Sequence, residues 1–264
     1  MTKSKKMNKT ALITGASSGI GKEFATIHAE RGGDLIIIAR REDKLKELKD
    51  ELEKKGVKVT TIAKDLSVPG SAKDVFEEVK AQGLSVDYLI NNAGFGLRGK
   101  FHELSWDRQL QMINLNMTSL TELMYLFLPE MVSRNSGKIL NTSSTASLVP
   151  GPLQAVYYAS KAYVTSISKA VAEELYDTNI TVTALLPGAT ETEFARTSGM
   201  DKTDLFNKTA SARSVAEDGY NAILTGKLDV ISGLTTFQKI NMAFAPLAPK
   251  KMVLKQIREM QETK

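Results

Sequence analysis

The 264-residue chain reads as an α/β protein built on a single doubly wound, mostly parallel sheet flanked by helices. Three observations predict this class. Short β-branched apolar runs alternate with longer helical stretches along most of the chain. A glycine-rich turn sits between the first such run and the first helix. No repeat, low-complexity stretch or linker marks a second domain. Such alternation implies βαβ units and a parallel sheet, with right-handed crossovers laying helices on both faces.

The elements follow in order. Thr10-Ala11-Leu12-Ile13 forms the first strand, and the glycine turn after it opens a helix over 19–32. Strand 35–39 ends in Ile38-Ala39-Arg40-Arg41 and leads into helix 42–54. Strand 57–63 runs to Lys64-Asp65-Leu66, followed by helix 71–82. Strand 88–90 passes into Asn91-Asn92-Ala93-Gly94, then a long helix over 107–134 in which Trp106 starts the helix as a packing residue. Strand 138–141 leads into Asn141-Thr142-Ser143-Ser144, and helix 155–178 follows. Strand 181–185 leads into Pro187-Gly188, then helix 214–225 and a last strand at 229–231. The expected layout is a basic N-terminal tail over 1–9, one domain over 10–235, and an extension over 236–264. Within that extension 241–249 is apolar and broken by Pro246 and Pro249, and an amphipathic helix follows over about 250–262.

Charge narrows the function. The net charge is +5, but Lys3, Lys5, Lys6 and Lys9 crowd the start, and Lys250, Lys251, Lys255, Arg258 and Lys264 the end. The body between is slightly acidic, so a basic groove for nucleic acid is not expected. The basic start is followed too soon by the glycine turn to form a signal-peptide core. No apolar run is long enough to span a bilayer. With no Cys, disulfides and thiolate chemistry are excluded; this does not fix the redox compartment but fits a reducing cytosol, and a cytoplasmic location is expected. His28 and His102 lie far apart without a carboxylate cluster, so no metal site is expected.

The glycine turn carries the first chemistry. Thr14-Gly15-Ala16-Ser17-Ser18-Gly19-Ile20-Gly21 joins a strand to a helix, the context that gives such a motif weight. Gly15 permits the sharp turn, Gly19 lets backbone approach a pyrophosphate, and Gly21 allows close helix packing. The helix start adds N–H groups and a positive dipole end. The second strand then selects the cofactor. An acid at its end would grip the ribose 2′-hydroxyl of NAD; here Arg40 and Arg41 stand instead. Two guanidiniums suit a 2′-phosphate, so NADP(H) is the expected cofactor. Asp65 is read either as an acceptor for an adenine amino group or as a turn residue. Leu66, Asn92, Ala93 and Gly94 complete the strand ends expected to line the crevice.

The second chemistry is Tyr157-Tyr158-Ala159-Ser160-Lys161. Four residues are one helical turn, so Tyr157 and Lys161 share a face. A cation beside a phenol is expected to pull its pKa down and ready it as a proton donor and acceptor for an alcohol or carbonyl oxygen.

Taken together, these segments resemble the short-chain dehydrogenase/reductase family. The matching pieces are the glycine turn, Asn91 to Gly94, Asn116, Ser144, Tyr157 with Lys161, and Pro187-Gly188, in family order over residues 8–232. The resemblance implies a Rossmann-type sheet of about seven strands and a bound nicotinamide dinucleotide. It makes Tyr157 the catalytic acid/base, with Lys161 bonding the nicotinamide ribose and Ser144 holding the substrate oxygen. Ser143 is the rival hydroxyl. Asn116 matches the residue that organises a proton-relay water. Backbone around Pro187 and Gly188, with Thr192 at the matching position and Thr190 as a second contact, would meet the nicotinamide carboxamide. Residues 189–213 would form a lid, with Phe194, Met200, Leu205 and Phe206 facing Phe95, Leu148, Val149 and Leu153 across an apolar substrate site. The expected activity is NADP(H)-dependent interconversion of a small-molecule ketone or aldehyde and its alcohol. A 3-oxoacyl or 3-hydroxy-acid enzyme and a non-catalytic cofactor-binding regulator are the alternatives. Homodimers or homotetramers built from the long helices are expected.

Overall fold

The computed structural model describes Met7, residues 9–201, 203–235, Gln238 and 248–262. The N-terminal cations at 3, 5 and 6, and most of the apolar stretch at 241–249, lie outside the described residues.

Strands β1 (Thr10–Thr14), β2 (Asp34–Ala39), β3 (Val59–Ala63), β4 (Tyr88–Asn91), β5 (Gly137–Thr142), β6 (Ile180–Pro187) and one near the C-terminus (Asp229–Ser232) form a seven-stranded sheet. Its pairs are parallel throughout, in the order β3-β2-β1-β4-β5-β6 and then Asp229–Ser232. A second, two-stranded sheet pairs β7 (Thr190–Glu191) with β8 (Ala210–Ser211), which makes the C-terminal strand β9.

Both faces of the large sheet are buried, which is why its strands are continuous apolar runs rather than alternating ones. Ala11, Ile13, Leu35 and Ile37 point to one core, shared with Phe24, Leu45 and Tyr220. These come from helices α1 (Gly19–Glu30), α2 (Glu42–Glu53) and α8 (Ala212–Thr225). Leu12, Ile36, Ile38 and Leu89 point to the other, with Val75, Phe127 and Val164. These belong to α3 (Ser71–Ala81), α5 (Leu120–Ser133) and α6 (Ala155–Glu174). The strand order reverses between β1 and β4, so their carboxyl ends frame a crevice at the switch point.

The expected helix over 107–134 is interrupted. Helix α4 (Trp106–Ile113) passes into a π-helical turn at Asn114–Ser119 before α5 begins. One wide turn barely disturbs the apolar periodicity, so the pattern reads as one helix. Trp106 does begin α4, but it is 60% exposed and does not pack. After β7 come α7 (Phe194–Ser198) and a short 3-10 turn at Asp204–Phe206. Helix α9 (Lys250–Gln261) closes the described chain and packs on that turn. Among the described residues no helix is long and apolar enough to cross a membrane.

His28 knits α1 to the sheet and to α8. Its Nε2 lies 3.0 Å from the Lys9 carbonyl, which can only accept, so Nε2 carries the proton. Nδ1 then accepts from the Tyr220 hydroxyl at 2.7 Å. Both nitrogens are satisfied by the neutral ring, and burial lowers its pKa from 6.5 to about 4. Between these values the unfolded chain binds the proton and the folded chain does not, so stability falls as pH drops through the window. The shift corresponds to roughly 3 kcal/mol at most. Urea unfolding of the parent chain and of His28→Gln, measured across this range, is expected to show a steeper acid loss in the parent. Parallel curves would remove His28 from the acid response.

Candidate active site

Above the sheet's carboxyl edge lies one continuous cleft of about 1470 Å³. Its floor at one end is the turn after β1. Gly15 has φ +67°, where a side chain is strained, and Gly21 is walled in: a Cβ there would lie 2.3 Å from the Gly15 carbonyl. Thr14 ties the turn to β4. Its hydroxyl accepts from the Asn92 and Ala93 N–H groups, both at 3.0 Å, and the Asn92 amide donates to the Thr14 carbonyl at 3.1 Å. Gly15, Ser17, Ser18, Gly19, Ile20, Leu66, Asn92, Ala93 and Gly94 all line the cleft, whereas Gly21 stands behind its wall.

The two arginines differ. Arg40 is largely exposed, with a guanidinium nitrogen 4.0 Å from the Asp65 carboxylate. Arg41 is engaged. Its two terminal nitrogens fork onto Glu193 at 3.2 and 2.8 Å, and one also donates to Ser17 Oγ at 3.1 Å. The pair joins the glycine turn to the segment after β7, and the Arg41 hydrogen bond holds the Glu193 carboxyl below its ordinary pKa. Asp65 caps its own turn through Ser67, whose N–H and hydroxyl reach one carboxylate oxygen at 2.9 and 2.7 Å. The turn reading of Asp65 thus accounts for that oxygen, and the other faces Arg40.

At the other end of the cleft, Ser144 and Tyr157 converge. The residue after β5, Ser143, turns inward: its hydroxyl donates to the Lys161 carbonyl at 2.8 Å and meets Thr165 at 2.7 Å. Ser144 faces the cleft and hydrogen-bonds Tyr157. The first turns of α6 carry Tyr157 and Lys161 on one face. Yet the ammonium gives its hydrogen bond elsewhere. Lys161 Nζ donates to the Thr142 carbonyl at 2.7 Å and lies 5.8 Å from the Tyr157 ring centre. Both groups are buried, and desolvation is the largest influence on each. Burial pushes the Tyr157 phenol above its ordinary pKa, against the fall expected from spacing, with the Ser144 hydrogen bond pulling the other way. Lys161 is lowered by burial to about 8.

Asn116 does not line the cleft. From the π-helical turn its side chain clasps the Phe95 backbone, accepting from the N–H at 3.2 Å and donating to the carbonyl at 3.0 Å. It also donates to Ser160 Oγ at 3.1 Å, which in turn donates to the Tyr157 carbonyl at 2.7 Å. After β6, the Pro187 carbonyl accepts from Ser144 at 3.4 Å, and Gly188, Thr190 and Thr192 line the cleft. The Thr192 methyl packs on the glycine turn, 2.9 Å from where a Gly19 Cβ would stand.

The apolar end is lined by Phe95, Val149, Phe194, Met200, Leu205 and Phe206. Leu148 and Leu153 do not reach it. Leu153 takes φ +64° in a turn whose carbonyl accepts from Gly99 at 2.8 Å. Residues that the spacing did not point to also line the cleft: Arg108 (its guanidinium 4.9 Å from the Phe95 ring centre), Gln154, Glu193 and the α9 residues Met252, Met260 and Gln261. Their residue types look solvated or structural in sequence, and only the fold brings them together.

The relatives agree with this architecture. Over 198 residues the chain is 35% identical to a very-long-chain 3-oxoacyl-CoA reductase from Rattus norvegicus, covering 72% of this chain but 62% of that protein's length. It is 36% identical over 186 residues to a 3-oxoacyl-[acyl-carrier-protein] reductase from Staphylococcus epidermidis, covering 69% of this chain and 75% of the relative. A short-chain dehydrogenase from Sphingobium yanoikuyae in complex with NADPH superposes with a TM-score of 0.81 at 30% identity, covering 97% of this chain and 98% of that one. The model of the short chain dehydrogenase family matches residues 9–203, and with most of its length so covered the chain belongs to that family.

Proposed function

We propose that the chain is an NADP(H)-dependent oxidoreductase that interconverts a ketone or aldehyde and its alcohol. The observation that carries this reading is the convergence of Ser144, Tyr157 and Lys161 at one end of a cleft whose other end holds the glycine turn and both arginines.

The cleft fits a dinucleotide. Helix α1 starts at Ser18 without a side-chain cap, leaving its first N–H groups available to an anion. The turn presents backbone rather than side chains at Gly15 and Gly19. Arg40 and Arg41 supply cations near the mouth, suited to a 2′-phosphate. When bound, the nicotinamide ring supplies a hydride to the carbonyl carbon or takes it back. Burial keeps the Tyr157 proton on its ring near neutrality, so the phenol serves reduction as an acid, passing its proton to the carbonyl oxygen as negative charge develops there. Ser144 bonds the same oxygen. Lys161, with a pKa of about 8, is mainly charged at neutral pH and stabilises the phenolate left behind. Asn116 is a positioning residue: through Ser160 it braces the backbone at Tyr157. A second reading, a 3-oxoacyl reductase, is favoured by the two relatives of that name. Rates on acyl thioesters against free ketones separate the two.

Tyr157→Phe is expected to lower kcat for ketone reduction by at least about 100-fold while NADPH affinity, followed by its fluorescence, stays near that of the parent. Near-parent turnover would take Tyr157 out of the reaction.

The Arg41–Glu193 pair bears on cofactor choice. Both side chains are about half-exposed, and such pairs contribute about 1 kcal/mol or less. A 2′-phosphate competing for the same fork displaces a weakly held carboxylate. Glu193→Gln is therefore expected to tighten NADPH by up to about 5-fold and to leave NADH affinity alone. Arg41→Ala is expected to weaken NADPH selectively. Direct titration checks both, and an equal effect on the two cofactors would overturn the assignment of Arg41 to the phosphate.

Phe101, Trp106, Leu110, Tyr125 and Val132 expose apolar surface around α4 and α5. This supports self-association through these helices. Light scattering is expected to report a dimer or tetramer that Trp106→Glu weakens; a monomeric parent chain would end this part of the reading.

A further inference from the structure

The substrate end of the cleft is apolar on most sides, yet two amides are buried in its wall. Gln154 is 3% exposed and Gln261 is 1% exposed, and both line the cavity. Gln154 occupies the N-cap position of α6, where a short oxygen-bearing side chain would normally hold the first N–H groups, but its side chain makes no capping bond. Among the described residues its Nε2 has no partner. Gln261 sits at the end of α9. Its Nε2 donates to the Tyr158 hydroxyl at 3.1 Å, and its Oε1 has no partner among the described residues.

The placement of Gln261 is built rather than incidental. Arg98 donates to the Gln261 carbonyl at 3.2 Å and to the Gly199 carbonyl at 2.8 Å, locking the helix end to the lid. Tyr158 lies one turn after Gln154 on α6 and gives its N–H to the Gln154 carbonyl at 3.0 Å. Both amides therefore connect to Tyr158, Gln261 through the tyrosine hydroxyl and Gln154 through the backbone one turn earlier, and both line the same cavity. Buried polar atoms are normally paired, and leaving two unpaired in an apolar wall costs stability without return in the fold itself. A ligand group would supply the return. One orphan is a donor and the other an acceptor. A carboxylate only accepts and would oppose Gln261 Oε1; a second ketone also only accepts and would leave it unpaired. A hydroxyl both gives and takes, so it serves either orientation of each amide.

We propose that Gln154 and Gln261 form a second polar subsite that binds a hydroxyl carried by an otherwise apolar ketone, apart from the carbonyl that reacts. The subsite rests on the reading of Ser144 and Tyr157 as the reacting end. It makes the tail helix a part of substrate selection, and it makes the preferred substrate a hydroxyketone, with a diol as product.

The test uses the full chain saturated with NADPH and a series of methyl ketones with a terminal hydroxyl, the spacer lengthened one methylene at a time. Each is paired with the plain ketone of equal length. In the parent chain the best-fitting hydroxyketone is expected to exceed its plain partner in kcat/KM by at least about 10-fold, since a site built for a hydroxyl leaves its own groups unpaired with the analogue. Gln154→Leu and Gln261→Leu are each expected to bring that ratio toward unity; Gln154→Met, closer in shape, carries the same expectation should a leucine variant misfold. Melting temperatures of the same mixtures give a readout that needs no turnover. Turnover without hydroxyl preference, or a preference that survives both substitutions, overturns the subsite and leaves the reductase reading standing. A Gln-dependent thermal stabilisation by hydroxyketones without turnover keeps the subsite and sinks the reductase reading. No preference in either readout overturns the subsite.

Discussion

The crevice depends on the hydrogen bonds that Thr14 makes at the reversal of the sheet. Beyond the switch point β1 and β4 stop pairing, and their last backbone groups need other partners. Thr14 supplies them, taking two successive N–H groups from the loop after β4, while Asn92 returns a bond to the Thr14 carbonyl. The first turn of α1 is seated directly on this knot, which is why no Cβ fits at Gly21. The network continues sideways. Thr142 at the end of β5 donates to the Asn92 side chain at 3.4 Å, and the Thr142 carbonyl receives the Lys161 ammonium. One run of polar contacts thus links the glycine turn to the helix bearing Tyr157. The two ends of the cleft hold a fixed relation because they share this run.

Burial, more than charge, sets the protonation states at the reacting end. Helical spacing correctly puts Tyr157 and Lys161 on one face, but spacing says nothing of the solvent around them. Both are buried, and the ammonium points its nearest hydrogen bond at a backbone carbonyl instead of the phenol. Desolvation then favours the neutral form of each group. For the proposed chemistry this arrangement is coherent. A neutral phenol is the form that can give a proton, and the cation 5.8 Å from its ring gains electrostatic value only as negative charge appears in a site of low dielectric.

Much of the fold was legible because its strands are buried on both faces. Leu35, Ile36, Ile37, Ile38 and Ala39 form an unbroken apolar run that no solvent-facing strand would tolerate, and each of the seven expected strands matches one in the observed sheet, the third beginning at Val59 rather than Val57. The glycine turn was legible for a related reason, since its residues answer to local backbone geometry. What stayed hidden depends on distant partners or on a change of helical pitch. Arg41 reads as a phosphate ligand or a solvated residue until Glu193, 152 positions later, is seen in its fork. Gln154 and Gln261 look like ordinary polar residues of a helix start and a helix end. The π-helical turn that aims Asn116 inward leaves the apolar spacing nearly unchanged. Trp106 looked like a packing residue because large aromatics usually are, and its exposure follows from its place at the outer start of α4.

The segment from Glu193 to Gly199 hangs between two guanidiniums of unequal hold. At its start Glu193 pairs with Arg41, an ion pair open to water and to competition from any anion that enters the cleft. At its end Arg98 binds the Gly199 carbonyl through its side chain, its backbone N–H donates to the Ser198 carbonyl at 3.1 Å, and the same guanidinium reaches the end of α9. Those bonds are made by a different guanidinium, so an anion held at Arg41 does not compete for them. A phosphate seated between Ser17 and Arg41, as the proposed cofactor would place it, would therefore free this segment at one end only, leaving it anchored beside the end of α9. Phe194, next to Glu193, packs its ring 5.4 Å from that of Tyr157. One residue step along the chain thus separates the partner of Arg41 from a ring packed on Tyr157.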